Sequence, residues 1–112
     1  MTPCDAPSRA ALAYAILMLT AGTAAAQQPP NVQRGLTLVR AHCGGCHAID
    51  KVSPSRLAAA PPFRTLHERY PVENLEEPLA EGIVTGHPAM PEFSFDPDQV
   101  GDIIAYLKSL ER

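Results

Sequence analysis

Apolar residues recur at helical spacing immediately before a short cysteine-containing segment. Val32, Leu36 and Val39 lie three to four positions apart with mostly polar residues between them, a period typical of an amphipathic helix. The pattern predicts a first helix from about Val32 to His42. Gly35 interrupts this helix at a cost in helix stability, which indicates that another helix approaches closely there.

The middle of the chain alternates between loop-like and helical patterns. The run AIDKVSPSRLAAAPPF contains three prolines and is typical of a loop, and a short helix is predicted over about Phe63–Tyr70. The next apolar face reads Val72, Leu75, Leu79 and Ile83. Because proline is tolerated only in the first turn of a helix, Pro78 predicts a start near Asn74 and an end near Gly82 or Gly86.

The last apolar pattern has the clearest start signal. Asp96 is a good N-cap residue, Pro97 suits the first helical position, and Gln99 completes a capping box. The stripe that follows consists of Val100, Ile103, Ile104, Leu107 and Leu110, with Tyr106 beside it. No strand-like alternation occurs along the chain, so the pattern predicts an all-α fold.

The N-terminus has the composition of a targeting segment. Arg9 precedes an apolar run over residues 10–21, and Ala24 and Ala26 form an A-x-A cleavage pattern. We expect a secretory signal peptide over residues 1–26 and one domain over residues 27–112. An uncleaved membrane anchor is the alternative, but the apolar run is shorter than the ~20 residues that span a bilayer. The mature chain is therefore predicted to be periplasmic, without stable membrane insertion.

Charge is distributed unevenly along a chain of formal net charge −3. Residues 27–70 carry six basic and two acidic side chains, whereas residues 71–112 carry two basic and nine acidic ones. This distribution has two interpretations. The charged side chains either lie on solvated helix faces, or the basic ones form a patch near the cysteines that steers an acidic protein partner. A nucleic-acid partner is not expected for an exported, net acidic domain.

The segment HCGGCH, residues 42–47, has three chemical interpretations. A structural zinc ion needs four ligands, and no second Cys/His pair exists to complete a set with Cys43, Cys46 and His47. A redox-active dithiol requires a strand-to-helix junction, which the pattern does not predict. The third interpretation is C-x-x-C-H, the attachment signal of c-type haem, in which two thiols form thioethers and the histidine ligates the iron.

The haem interpretation requires a further iron ligand downstream, in addition to the porphyrin and the histidine of the motif. Met90 is the candidate for this sixth ligand. It is the one methionine left after cleavage and lies between two prolines, which stiffen the loop around it. A buried core methionine is the alternative interpretation. His87, in the same loop, is the rival ligand, whereas His42 and His67 are expected to face solvent.

The chain resembles the small bacterial class I c-type cytochromes. The resemblance rests on Gly35, on CGGCH at 43–47, on MPEF at 90–93 and on IIAYLKSL at 103–110, and covers the whole mature chain. It implies N- and C-terminal helices that cross at Gly35 on the Tyr106 side, with short helices and loops that wrap a covalent haem.

The resemblance also implies contacts that support the ligands. His47 is expected to donate its free ring N–H to the carbonyl of Pro61 or Pro62, which would fix the tautomer and strengthen the ligand. The chain has no tryptophan to bond a haem propionate, so Arg56 or Arg64 is the candidate for that contact.

These features predict an electron-transfer protein and not an enzyme. One haem c is expected, attached through Cys43 and Cys46, with His47 and Met90 as iron ligands and redox proteins as donor and acceptor. A haem c subunit of a periplasmic dehydrogenase, and a haem enzyme or gas sensor with a displaceable sixth ligand, are the alternatives. The apolar residues expected to line the pocket or join the helices are Val32, Leu36, Val39, Leu57, Leu66, Leu75, Leu79, Ile83, Phe93, Ile104 and Leu107.

Overall fold

The structure is a computed structural model that describes residues 29–82 and 89–112. Within these ranges the chain is helical and contains no β-strand, which confirms the all-α prediction. The predicted signal peptide, Ile83 and His87 lie outside the described residues. Within residues 29–82 and 89–112, none of the helices has the length and hydropathy of a membrane-spanning segment. The elements in chain order are helix α1 (Pro30–His42), 3-10 helices at Phe63–Glu68 and Val72–Leu75, helix α2 (Glu76–Glu81) and helix α3 (Pro97–Ser109).

Helix α1 begins two residues earlier than the apolar pattern predicts. Pro29 is its N-cap and Pro30 its first residue, a position where proline is favoured because the missing N–H would lack a partner anyway. The helix ends at His42, as predicted. Cys43 follows as the C-cap, so the cysteine segment starts directly at the helix end.

The middle of the chain is less regular than predicted. The predicted helix after Pro62 is a 3-10 helix, Phe63–Glu68. The predicted helix near Asn74 is divided into the 3-10 turn Val72–Leu75 and the short helix α2. Pro78 does lie in the first turn of α2, and Gly82 ends that helix in the left-handed region with φ +75°, a conformation that glycine adopts without strain.

Helix α3 begins at the predicted capping box. The Asp96 backbone N–H donates to Gln99 Oε1 at 3.1 Å, and the Asp96 side chain accepts from the N3 backbone. The helix buries Val100, Ile103 and five further residues toward the rest of the domain, namely Asp102, Ile104, Tyr106, Leu107 and the following Leu110.

Helices α1 and α3 form the most extensive packing between elements of the described chain. A Cβ placed on Gly35 would lie 2.0 Å from the Asp102 carbonyl oxygen and 2.8 Å from Tyr106 Cβ, so the close approach predicted at Gly35 is confirmed. Next to it, Arg34 donates from Nε and Nη2 to the two carboxylate oxygens of Asp102 at 2.7 and 2.8 Å. This paired contact joins the helices at the same level, and the sequence pattern did not predict it.

The core lies between α1, α3 and the segments that connect them. Most of the residues expected to pack there are buried or partly buried against it: Val32, Val39, Leu66, Ile104 and Leu107 are buried, and Leu36, Leu75, Leu79 and Phe93 are partly buried. Leu57 differs, since its side chain is 43 % exposed. The Tyr106 hydroxyl donates to the Ile49 carbonyl at 2.5 Å, which ties α3 to the loop after the cysteines.

Candidate cofactor-binding site

The cysteine segment is a compact turn that continues from α1. The backbone N–H groups of Cys43 and Gly44 donate to the Val39 carbonyl at 2.8 and 3.0 Å, and those of Cys46 and His47 donate to the Cys43 carbonyl at 3.1 and 3.0 Å. These bonds satisfy carbonyls at the helix end and fix the turn. Two thiols and one imidazole are thereby presented from a single rigid segment.

His47 is oriented by contacts from the loop that follows it. Its Nδ1 lies 2.8 Å from the Pro61 carbonyl oxygen, and because a carbonyl only accepts, Nδ1 carries the proton. In this tautomer the lone pair of the imidazole lies on Nε2. The Phe63 ring lies against the imidazole with centroids 4.7 Å apart. The carbonyl expected from Pro61 or Pro62 is thus that of Pro61.

The loop between His47 and Phe63 has its own hydrogen bonds. The Phe63 N–H donates to the Ala48 carbonyl at 2.9 Å, which closes the loop at its base, and the Leu57 N–H donates to the Cys46 carbonyl at 3.0 Å. The Ser55 hydroxyl accepts from the Ala48 N–H at 3.0 Å. These bonds bring Leu57 and the residues up to Pro61 back over the cysteine turn.

A cavity of about 280 Å³ lies beside the cysteine turn. Cys43, Cys46, His47 and Met90 all line it, so the four predicted site residues share one space although Met90 lies far along the chain. Its other walls are largely apolar, and they consist of His42, Gly45, Leu57, Ala59, Ala60, Pro61, Ala89, Pro91 and Phe93. Leu57 lines this cavity, which accounts for its position away from the core.

The segment after Met90 is anchored to helix α2. The Phe95 N–H donates to the Leu79 carbonyl at 2.9 Å, and the Ser94 hydroxyl donates to the Ala80 carbonyl at 2.9 Å. Phe95 is buried. Ser94 and Phe95 lie four and five residues after Met90, so the hydrogen bonds that hold them to α2 also limit where Met90 can lie.

His42 is exposed, as predicted, but its ring is not isolated. It meets the Phe93 ring edge-on at 5.9 Å between centroids and the Phe95 ring at 5.2 Å, and the two phenylalanine rings stack at 5.8 Å. It also lines the cavity. Sequence reasoning missed these contacts, because nothing in the spacing relates residue 42 to residues about fifty positions away.

The arginines considered for a propionate do not line this cavity. Arg64 Nη1 donates to the Ser53 carbonyl at 2.8 Å. Arg56 and Arg40 line a neighbouring polar groove of about 580 Å³, which shares Gly45 and His47 with the cavity. Among residues 29–82 and 89–112, no arginine therefore lines the cavity itself, and the propionate contact stays a prediction.

The side chains suit an apolar group bonded through sulfur. Cys43 and Cys46 are free thiols, and burial raises the pKa of the Cys43 thiol to about 11, so its surroundings favour a neutral sulfur such as a thioether. No cluster of three or more His, Cys, Asp or Glu side chains in residues 29–82 and 89–112 is arranged to hold a bare metal ion. Two thiols, an imidazole and a thioether line one largely apolar space, and these side chains suit an apolar metal macrocycle attached through sulfur.

Comparison with known proteins agrees with this geometry. The family model described as Cytochrome c matches residues 32–111, a stretch that runs from α1 past the end of α3 and includes the cysteine turn and Met90. The chain is also 26 % identical over 95 residues to cytochrome c-552 of Bradyrhizobium diazoefficiens, and the alignment covers 85 % of this chain and 89 % of that protein. No solved structure gives a significant match.

Proposed function

Because this chain belongs to the cytochrome c family, we propose that it is an exported electron carrier whose haem iron is held between His47 and Met90. The family binds haem c covalently through its C-x-x-C-H motif, and Cys43 and Cys46 are the cysteines of that motif here. The cofactor is therefore haem c bonded through two thioethers. Members of this family are typically electron carriers.

The cavity carries the ligation proposal. Cys43, Cys46, His47 and Met90 line one largely apolar space, with the two sulfurs and the imidazole on the turn after α1 and the thioether on the segment before α3. An attached macrocycle in this space would have His47 and Met90 available to its iron, as the C-x-x-C-H signal and the single mature methionine suggest.

Each residue then has a role in setting the redox couple. When bound, the haem supplies a one-electron ferric–ferrous couple. His47 offers Nε2 while Nδ1 donates to Pro61, which raises the basicity of the ligand. Met90 offers a soft sulfur that favours the ferrous form and raises the reduction potential. The apolar walls of the cavity disfavour net charge on the haem, and this also raises the reduction potential.

Two protein ligands on the iron would also exclude the binding of other molecules to it. If His47 and Met90 both held the iron, no place on it would remain for a substrate or a gas. The protein would then exchange electrons with other proteins without making or breaking bonds in a substrate.

The direct test of ligation is the variant Met90→Ala. We expect the ferric wild-type holoprotein to show the sulfur-to-iron charge-transfer band and to resist cyanide, and the ferrous form to resist carbon monoxide. Met90→Ala should keep its covalent haem, measured as the pyridine haemochrome, but lose that band and bind both ligands. Leu57→Ala is the matched control, because it enlarges the same cavity without removing a ligand. A wild-type protein that lacks the band at neutral pH would refute the proposal.

Export is proposed from the N-terminal pattern over residues 1–26. Bacterial c-type cytochromes are typically exported, and the thioethers of haem c would occupy cysteines that an oxidising compartment would otherwise join as a disulfide. Mass spectrometry of the purified holoprotein should give the mass of residues 27–112 plus one haem. A mass that includes the first 26 residues would contradict cleavage.

The polar groove beside the cavity is proposed as the docking face for an acidic redox protein. Arg40 and Arg56 line it together with one acidic residue, Asp50, and it shares His47 with the cofactor cavity. Val52, which is 84 % exposed, precedes the lining residue Ser53 in the chain. Charge-steered docking predicts electron-transfer rates that fall as ionic strength rises. The double variant Arg40→Glu with Arg56→Glu should abolish that dependence, whereas Arg69→Glu, an exposed charge outside the groove, should retain most of it.

Size-exclusion chromatography distinguishes a free electron carrier from a subunit bound permanently to a dehydrogenase. A carrier should elute as a monomer when the native periplasmic protein is passed over a size-exclusion column. Co-elution with a dehydrogenase would instead indicate a dedicated electron-accepting subunit.

A further inference from the structure

The ring of His42 joins the end of α1 to the segment that carries Met90. Its contacts with Phe93 and Phe95 are both edge-to-face, with interplanar angles of 72° and 78°. Centroid distances of 5.9 and 5.2 Å lie in the range in which aromatic pairs stabilise each other. Because the two phenylalanine rings also stack on each other, the three rings form one cluster, which we call the aromatic clasp.

The clasp lies on the cavity wall. His42 and Phe93 both line the cavity together with Met90, and Phe95 is held on its other side by the hydrogen bond from its N–H to Leu79. Phe93 is three residues after Met90. A shift of this segment away from α1 would therefore move the thioether away from the cavity.

The two sides of the clasp have different supports. Helix α2 holds residues 94 and 95 through the bonds to Leu79 and Ala80. On the opposite side, within the described part of the chain, His42 is the residue of α1 whose ring reaches this segment. It also immediately precedes Cys43, so the sulfur that attaches the cofactor and the ring that holds the distal segment leave the same helix end.

We propose that His42 is a positioning residue, whose ring keeps the Met90 segment closed over the cavity through Phe93 and Phe95 and so keeps the thioether on the iron. The inference rests on the proposed ligation by His47 and Met90. Its basis is the shape and aromatic character of the ring, so a phenylalanine at position 42 should perform the same task.

The experiment titrates ferric holoproteins with imidazole, which competes with the Met90 sulfur. Displacement is followed by loss of the sulfur-to-iron charge-transfer band, and each sample is normalised by its pyridine haemochrome. His42→Ala removes two aromatic contacts, and the apparent imidazole affinity should rise by about tenfold. His42→Phe should stay within about twofold of the wild type, and His67→Ala, which changes an exposed histidine outside the cavity, should not change the affinity.

A second measurement reports on the segment independently of the iron. Amide hydrogen exchange at Phe95, whose N–H is bonded to Leu79, should accelerate in His42→Ala and remain slow in His42→Phe. This readout separates loosening of the segment from a change in the electronic properties of the haem.

The outcomes separate the two proposals. If Met90→Ala raises imidazole affinity but His42→Ala does not, the clasp is refuted and the ligation stands. Equal increases in His42→Ala and His42→Phe would also refute the clasp, because the effect would then come from the imidazole nitrogens or charge. If Met90→Ala binds imidazole no better than the wild type, Met90 is not the ligand and both proposals fall.

Discussion

Replacement of Gly35 by alanine tests the helix crossing directly. The added Cβ would lie 2.0 Å from the Asp102 carbonyl oxygen and 2.7 Å from the Asp102 carbonyl carbon. These are backbone atoms of α3, so no side chain can rotate out of the way. Ordinary contact begins at 3.4 Å, and the two helices would therefore have to separate by more than about 1 Å at this point.

The expected cost follows from two opposing effects. Alanine in place of glycine inside a helix gains about 1 kcal/mol from helix propensity. Overpacking of a tight interface, including the backbone shifts that it forces, costs about 1–3 kcal/mol and occasionally more. Separation of the helices would also stretch the paired contact from Arg34 to Asp102. We expect a net loss of about 2 kcal/mol in the free energy of unfolding, which for a domain of this size lowers Tm by roughly 10 °C.

Gly101→Ala is the matched control for this measurement. Gly101 also lies inside a helix, and a Cβ there would meet nothing within 4 Å, so the propensity gain of up to about 1 kcal/mol should appear alone. Guanidinium denaturation of both holoproteins, followed by far-ultraviolet circular dichroism, should move the midpoints in opposite directions. If Gly35→Ala were as stable as Gly101→Ala, the close approach of α1 and α3 described above would be wrong.

Three further perturbations follow from single contacts. Hydrogen bonds from the Ser53 side chain and from backbone N–H groups lower the pKa of Asp50 to about 2. The stability it contributes is therefore present above its unfolded pKa of about 4 and is lost as the pH falls toward 2; Asp50→Asn should flatten that part of a pH–stability curve. Tyr106→Phe removes the hydroxyl that donates to Ile49 and should cost about 1 kcal/mol in denaturant unfolding. Gly82→Ala places a side chain at φ +75° and should cost about 1 kcal/mol or more by the same assay.

Each of these expectations has a contrary result. An acid-unfolding curve of Asp50→Asn that coincides with the wild type between about pH 4 and 2 would show that the Asp50 carboxylate does not accept these hydrogen bonds in solution. Wild-type stability of Tyr106→Phe would mean that its hydroxyl is bonded to water in solution. A fully stable Gly82→Ala would indicate another backbone conformation at the end of α2.

Local signals predicted the parts of the fold that depend on neighbouring residues. The capping box at Asp96 and the proline in the first turn of α2 follow from the chemistry of one turn of chain, and of the two glycines predicted to end that helix, Gly82 does so. Gly35 was informative because a glycine weakens the helix that contains it, and a close helix crossing is the usual reason for that cost.

Contacts between distant residues could not be predicted in the same way. The Arg34–Asp102 pair spans 68 positions and the Tyr106–Ile49 bond spans 57, and no local rule selects these partners from the other charged and polar residues. The same holds for the ring contacts of His42. Hydrophobicity alone predicted that Leu57 lies either in the pocket or in the helix packing. The structure shows that it lines the cavity.

The candidate site was predicted more fully than the packing around it. C-x-x-C-H places anchor and ligand within five residues, so its chemistry is readable without a fold. The structure adds that Met90 and Pro61 come to the same space as this motif. Ligation of the iron by Met90 stays a prediction, which the imidazole and cyanide experiments address.

The packing of α1 on α3 has a consequence for the order of events during folding. These helices stand at opposite ends of the described chain, so the nascent protein must close a long loop before its two ends can meet, and chains that depend on such distant contacts fold slowly. Until α3 docks, the core against which Cys43 packs is incomplete, so the thiols after α1 would be more accessible to the reaction that bonds them to haem. A variant that docks α3 faster would leave less time for thioether formation, and the yield of coloured protein would fall.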